Sequence, residues 1–254
     1  MAMIPLTDKQ IEKARTAGRI LAEVFRELKI QIKVGVTTKN LDKFVADKII
    51  EKGGRIAYFE PEVNFPAAIC ISINSAVVHG VPSDYILQKG DVAKFDLVVD
   101  YEGIKVDSAF TVVVGEEPRG AKKHLLSTTE RALYAGIDVI KGPVRTGEIS
   151  AAIEKVLRAG RLGIIRELAG HGIGTKQWQE PDVPNVGHKS SGPIVPAGYL
   201  LAIEPMAALG KSAIRLDGSD GWTWRMRDGS LAAHFEHTVL VLENGAEILT
   251  RLDD

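Results

Sequence analysis

Apolar residues recur at helical spacing near the start of the chain. The run TDKQIEKARTAGRILAEVFRELKIQI opens on Thr7, a favourable helix cap, and places Ile11, Ala14, Ala17 and Leu21 on one face. The run VTTKNLDKFVADKIIEKGG repeats this arrangement, with a polar start and a Gly-Gly stop. The pattern predicts two antiparallel helices.

From Arg55 onward the pattern changes to short β-rich runs. A second pair of helical segments follows, EEPRGAKKHLLSTTERALYAGIDVI and RTGEISAAIEKVLRAG, and then a second series of β-like runs. The order of helices and then strands therefore occurs twice. It predicts an α+β fold of two pseudo-symmetric halves, each with a helix pair and an antiparallel sheet, around a shared site. Because no low-complexity linker separates the halves, residues 1–254 are expected to form a single domain.

Composition narrows the class of protein. The 254 residues are 45% hydrophobic and 26% charged with a net charge of -1, which is typical of a globular protein. No Lys/Arg run favours a nucleic-acid partner, and no apolar stretch approaches the ~18 residues of a membrane span. The N-terminal residues show no apolar signal core, and a single cysteine suits a reducing cytoplasm. Any metal site must then use oxygen and nitrogen ligands, which favours Mn, Fe, Co or Zn.

Two aspartates flank a predicted hairpin. The run DYEG, Asp100 to Gly103, is a turn candidate between two β-rich stretches. If Asp100 opposes Gly103, Asp96 faces Asp107 with Cβ atoms ~5 Å apart. Directly opposed like charges destabilise a sheet unless a cation lies between them. Taken alone, the pair could equally be solvated aspartates on the polar face of a hairpin.

Three further residues occur in contexts that favour metal ligation. His171 lies between glycines in AGHGIG, although a lone histidine is more often structural than a ligand. Glu204 ends a hydrophobic run directly before a proline, and Glu236 precedes an unbroken apolar strand. Buried carboxylates are costly unless they are paired or coordinated. Four carboxylates and one imidazole can hold two divalent cations, whereas one cation would leave too much negative charge unbalanced.

The order of these motifs, two aspartates with ten residues between them and then GHGIG, IEP and FEHT, resembles that of the type I methionine aminopeptidases, which are pita-bread metallopeptidases. The resemblance covers nearly the whole chain. It implies that five residues bind two divalent ions of Co, Mn, Fe or Zn: Asp96, Asp107, His171, Glu204 and Glu236. It also implies that Glu204 is the general base and that His79 contacts the substrate near the scissile amide. The expected reaction is hydrolysis of the first peptide bond of a peptide or nascent protein, by a cytoplasmic monomer.

The chain departs from the family pattern around the metals. Seven residues after the GHGIG histidine, where the family has a second histidine that helps to hold the substrate carbonyl, this chain has Trp178. Indole N–H can donate but not accept, and the larger ring either keeps one donor aimed at the carbonyl or blocks the site. Loss of a well-placed donor of this kind typically costs roughly 10²- to 10³-fold in turnover.

The residues that match the family's substrate pocket are also altered. Phe65, Cys70 and Trp222 look retained or conservative, whereas Phe59, Glu62 and Gln177 replace residues of different character. Glu62 would make the pocket less apolar and suit a polar or basic N-terminal residue; the alternative is that Glu62 points to solvent. Phe65 and Trp222 could equally belong to the core.

Three functional hypotheses follow. The first is an active dinuclear aminopeptidase, with methionine as the default substrate and altered selectivity. The second is a metal-binding pseudoenzyme that binds peptide N-termini or a protein partner without efficient turnover. The third is another dinuclear hydrolase that acts on a modified or non-methionyl substrate.

Overall fold

The computed structural model describes residues 3–252, and these contain both predicted helix pairs. The α-helices are α1 (Asp8–Gln31), α2 (Thr38–Glu51), α3 (Gly120–Asp138) and α4 (Thr146–Ala159). Thr7 caps α1 as predicted: its hydroxyl accepts from the Gln10 N–H, and the Gln10 side chain accepts from the Thr7 N–H. Gly53, with φ of 81°, follows the end of α2 and provides the predicted stop.

Most strands are short, and one long hairpin dominates. In chain order the strands are β1 (Arg55–Ile56), β2 (Cys70–Ile73), β3 (Ala76–Val78), β4 (Val92–Tyr101), β5 (Ile104–Val113), β6 (Val144–Arg145), β7 (Gly163–Ile164), β8 (Ala169–Ile173), β9 (Gln179–Pro184), β10 (Ile194–Val195), β11 (Leu200–Ile203), β12 (Met206–Ala208), β13 (Ile214–Leu216), β14 (Trp224–Met226), β15 (Ala232–His234), β16 (Glu236–Val241) and β17 (Ala246–Ile248).

Antiparallel pairing joins these strands into one large sheet and several small ones. The nine-stranded sheet has the order β1-β4-β5-β16-β11-β8-β9, with β2 also pairing with β4 and β17 with β16. Strands β15, β12 and β7 form a separate three-stranded sheet, and β13, β14 and β3 form another. The first half of the chain supplies β4 and β5, the second half supplies β16, β11 and β8, and the halves meet where β5 pairs with β16. The α+β class is confirmed.

The register of the β4–β5 hairpin differs from the predicted one. Tyr101 opposes Ile104, so the two-residue turn consists of Glu102 and Gly103, both with positive φ (48° and 85°). Such a turn matches the right-handed twist of the strands and favours glycine at its second position, which is why the turn includes Gly103. Asp96 therefore opposes Ala109 and Asp107 opposes Val98.

The prediction that the two aspartates directly oppose one another is thus wrong, but they do share a face of the hairpin. They are diagonal neighbours, a relation that separates residues by roughly 7–8 Å, with the Cβ atoms somewhat closer. Carboxylates at this spacing leave more room for a cation than a directly opposed pair.

Side-chain hydroxyls reinforce the seam between the halves. Strands β5 and β16 pair only at Ala109 with Glu236 and at Ser108 with His237. Beyond these pairs, the buried Thr238 hydroxyl accepts from the Asp107 N–H (2.7 Å) and donates to the Asp107 carbonyl (2.8 Å). The backbone of Asp107 is therefore held in place from the second half of the chain.

Helix α1 packs its apolar face against the sheet. Ala14, Ala17, Leu21 and Leu28 on this helix are fully buried in a hydrophobic cluster that continues through both halves of the chain. Such a shared core supports the single-domain prediction. Within residues 3–252, no helix has the length and apolar character needed to cross a membrane.

Candidate metal centre and substrate cavity

The five predicted ligands converge at the seam. Asp96 on β4 and Asp107 on β5 come from the first half of the chain. His171 on β8, Glu204 after β11 and Glu236 at the start of β16 come from the second half.

Two segments of the second half bend from one sheet to another at this place. One passes from β11 in the large sheet to β12 in the small sheet, with Glu204 and Pro205 between the strands. The other passes from β15 in the small sheet to β16 in the large sheet, with Phe235 between them. The carboxylates of Glu204 and Glu236 therefore lie side by side at the bend.

Four of the five predicted ligands, together with His234, form two overlapping groups of possible ligand atoms, and Asp96 is in neither group. In one, atoms of Asp107, His171 and Glu236 all lie within 4.8 Å of one another. In the other, the same holds for Glu204, His234 and Glu236. Glu236 belongs to both groups, which is what a carboxylate shared between two cations requires.

Several polar atoms in this cluster are buried without a hydrogen-bond partner among the described residues: Asp107 Oδ1, Glu236 Oε1 and both ring nitrogens of His234. Buried polar atoms are nearly always paired, so these atoms require a partner. Divalent cations provide one, because all the atoms concerned are oxygen or nitrogen donors suited to borderline metals. The residues present therefore fit a metal centre.

Burial also acts on the carboxyl groups. Loss of hydration raises the pKa of Asp107 and of Glu236 well above the usual range, and the neighbouring carboxylates raise both further. Burial raises the pKa of Glu204 to about 8, with the charge of Asp96 adding to the effect. Without cations, the cluster cannot hold all its carboxylates ionised near neutral pH.

His171 is oriented for ligation through Nε2. Its Nδ1 lies 3.0 Å from the Gly172 carbonyl oxygen, so Nδ1–H donates there and Nε2 keeps its lone pair. Nε2 lies 3.6 Å from Glu204 Oε1. The flanking glycines allow the strands to approach: a Cβ at Gly170 would collide with the Ala202 carbonyl oxygen, and one at Gly172 with that of Glu180.

The five predicted metal ligands line a cavity of about 860 Å³. Three of the predicted substrate-site residues line this cavity: His79, Gln177 and Trp178. Trp178 is 45% exposed at the cavity, whereas Gln177 is buried with its side-chain oxygen unpaired among the described residues. Met3 and Ile4 from the start of the described chain also line it.

His79 adopts an unusual backbone conformation. Its φ of 55° lies in the left-handed region, which is uncommon for a non-glycine residue and costs energy. Burial lowers the pKa of His79 to about 4, with the charge of His234 as a second cause. The imidazole is therefore neutral at neutral pH and can donate or accept a hydrogen bond.

Tyr58 is a cavity residue that the sequence did not reveal. Its hydroxyl donates to Asp96 Oδ1 at 2.6 Å, and its ring is buried. It packs against Phe65, with ring centroids 5.2 Å apart, and belongs to a buried cluster that includes Cys70, with Trp222 packed against it. Phe65, Cys70 and Trp222 do not themselves line the cavity.

Phe59 and Glu62, by contrast, are not brought to the cavity. Phe59 is 57% exposed, and Glu62 is exposed on the following loop. A short 3-10 turn, Ala57–Phe59, places the Tyr58 side chain in the interior and leaves the Phe59 side chain exposed. The expectation that Phe59 and Glu62 line the pocket is corrected, and the alternative of a solvent-facing Glu62 agrees with the structure.

His234 is the second residue that sequence reasoning missed. It precedes Glu236 by two positions, and residues two apart on extended backbone tend to share a face. The two-residue spacing of His234 and Glu236 in HFEHT is therefore the sequence feature that indicates a shared face.

We expect the metal-free protein to lose stability as the pH rises from 6.5 to 8. With a pKa of about 8, Glu204 keeps its proton in the folded state, while the unfolded chain has already released it. The unfolded state thus binds fewer protons, so the free energy of unfolding falls with pH, on the order of 1–2 kcal/mol over this range. The lowered pKa values of His79, His234 and His237, about 4, act in the opposite direction by roughly 0.4 kcal/mol each over this range, because the unfolded imidazoles still bind protons at pH 6.5. The raised pKa values of Asp107 and Glu236 add to the fall that Glu204 causes.

Urea unfolding in the presence of a chelator at pH 6.5 and 8 measures this change. Glu204→Gln, which cannot titrate, should show a smaller change with pH. An unfolding free energy of the wild type that stays constant or rises over this range would contradict the assignment.

Comparisons with known proteins agree with this geometry. The chain matches the model of metallopeptidase family M24 over residues 12–243. It is 40% identical to the methionine aminopeptidase of Clostridium perfringens, covering 96% of both chains, and 38% identical to methionine aminopeptidase 1 of Bacillus subtilis, covering 97% of this chain and 98% of the relative. The crystal structure of methionine aminopeptidase from Rickettsia prowazekii superposes with a TM-score of 0.94 at 32% identity, covering 98% of this chain and all of the other. The predicted resemblance and the pita-bread fold are confirmed, and the chain belongs to metallopeptidase family M24.

Proposed function

We propose that this chain is a dinuclear metal-dependent aminopeptidase that removes one N-terminal residue, methionine by default, from peptides or nascent proteins. The observation that carries the proposal is the pair of ligand groups that share Glu236, a residue that lines the cavity. Two cations there would polarise the scissile carbonyl and lower the pKa of water. The names of the relatives support methionine as the default first residue.

Three residues that line the cavity are each proposed to have a separate role in the reaction. Glu204 lines the cavity and would accept the proton of the attacking water. Neutral His79 also lines the cavity and would form a hydrogen bond with the substrate near the scissile amide. Trp178 lines the cavity and can direct at most one donor, its indole N–H, at the developing oxyanion.

The packing of Tyr58 supports an altered first-residue preference. By resemblance, Phe65, Cys70 and Trp222 belong to the pocket for the methionine side chain. In this chain the Tyr58 ring occupies space among these residues, and Phe65 also makes an edge contact with Trp222 at 5.3 Å between ring centroids. We therefore propose that Tyr58 restricts the size of the first side chain.

The second candidate is a metal-binding pseudoenzyme that binds peptide N-termini or a protein partner. Trp178 in the cavity and the restricted pocket favour it. It differs from the first proposal in one outcome only, the absence of turnover by fully metallated protein.

Cleavage of a peptide panel tests the two candidates. The protein is loaded separately with Mn, Co, Fe or Zn and given peptides that differ in their first residue, with release of the free amino acid as the readout. We expect release of single N-terminal residues, and none after chelation. Because an imidazole would restore an oxyanion donor, Trp178→His should raise the turnover of methionyl peptides by roughly 10- to 100-fold.

Trp178→Phe serves as the matched control, since it keeps an aromatic ring but has no donor. If no peptide in the panel is cleaved by wild-type protein shown to be metallated, the enzyme proposal fails and the pseudoenzyme remains. If Trp178→His cleaves methionyl peptides no faster than wild type, the missing imidazole does not limit turnover.

Tyr58→Ala should shift the preference toward long first side chains. Removal of the ring opens apolar space beside Phe65 and Cys70, so we expect the ratio of kcat/KM for methionyl over alanyl peptides to rise by at least ~10-fold. Tyr58→Phe keeps the ring and loses only the hydroxyl bonded to Asp96, so its ratio should stay close to the wild-type value. Equal ratios in Tyr58→Ala and wild type would show that Tyr58 does not select the side chain.

A further inference from the structure

His234 is a buried imidazole whose ring has no hydrogen-bond partner among the described residues. The residue is 1% exposed, and both Nδ1 and Nε2 are unpaired. Leaving a buried donor or acceptor unpaired costs about 1–3 kcal/mol. An imidazole in this position therefore needs a partner other than the neighbouring protein groups.

The backbone of His234 is held firmly. Its N–H donates to the Thr111 hydroxyl (3.0 Å), and that hydroxyl donates to the His234 carbonyl (2.6 Å). His234 also pairs with Met206 across β15 and β12. The position of the ring is therefore set by the fold.

The ring nitrogen Nε2 faces the carboxylates of the metal centre. It lies 3.3 Å from Glu204 Oε2 and 3.7 Å from Glu236 Oε2. Two ligands of one cation, each about 2.1 Å from it, lie roughly 3.0–3.4 Å apart at tetrahedral or octahedral angles. The shorter separation falls in this range and the longer one is close to it, whereas neither contact is a hydrogen bond.

We propose that His234 Nε2 is a direct metal ligand, so that each of the two cations has one imidazole, His171 for one and His234 for the other. This inference rests on the dinuclear centre proposed above. The five-ligand set expected from resemblance contains only one imidazole. A second imidazole strengthens the preference of the centre for borderline metals such as Zn, Co and Fe over Mg.

Proton NMR of the cobalt(II)-loaded protein tests the assignment directly. The ring N–H of a histidine bound to paramagnetic cobalt gives a strongly shifted signal that disappears in D₂O. We expect two such signals from the wild type and one from His234→Gln. His237→Gln is the matched control, because His237 lies one residue beyond Glu236 with its Nδ1 2.9 Å from the Thr250 hydroxyl, and it should keep both signals.

Calorimetric titration with cobalt adds a second readout. His234→Gln should weaken one of the two binding steps by at least ~10-fold, and His237→Gln should change neither step appreciably. A histidine that only positions a carboxylate would also weaken binding, but the wild type would then show a single shifted N–H signal, and that result would overturn the proposal.

The number of shifted ring N–H signals from the wild type tests whether His234 is a ligand even if His234→Gln does not fold. Binding of one cobalt ion per chain instead of two would overturn the dinuclear centre, while the number of shifted signals would still show whether His234 is a ligand.

Discussion

Repulsion among buried carboxylates is the constraint on which this structure depends. Asp96, Asp107 and Glu236 are each less than a tenth exposed, and the Glu204 side chain is little more so. The carboxylates come from both halves of the chain and meet where the two halves of the large sheet join, through two β5–β16 residue pairs. Charges of one sign at such a seam would push the halves apart unless protons or cations neutralise them. The cations are thus expected to stabilise the fold as well as to serve the chemistry.

The same seam explains why the chemistry is located there. Two neighbouring segments leave one sheet for another at Glu204–Pro205 and at Phe235, and this bend exposes carboxylates to the cavity without breaking the core on either side. Hydroxyls of Thr111 and Thr238 replace the strand pairing that is lost near the bend. The ligands therefore sit on anchored backbone, which a preorganised centre requires.

Much of this arrangement could be predicted from the sequence, because helical periodicity, a Thr cap and buried carboxylates next to apolar runs are local signals. The helix pairs and the α+β class follow from them, whereas the full set of five ligands followed from the resemblance to a known family. The hairpin register could not be obtained by symmetry around DYEG, since the requirement for positive φ at Gly103 moves the turn by one residue.

Side chains around the metals were harder to predict, because their direction depends on tertiary contacts. The 3-10 turn at residues 57–59 decides that Tyr58 and not Phe59 faces inward. The proximity of His234 to Glu204 depends on the pairing of β12 with β15, which joins residues distant in sequence. The HFEHT spacing relates His234 to Glu236, but no local pattern predicts its contact with Glu204 or the inward direction of Tyr58.

Anomalous diffraction from crystals of the cobalt-loaded protein would locate the cations and identify the residues that bind them. We expect two cobalt peaks a few ångströms apart, both within bonding distance of the Glu236 carboxylate, with ligands from both halves of the chain. A single fully occupied peak, or peaks bound by residues of only one half, would contradict this expectation.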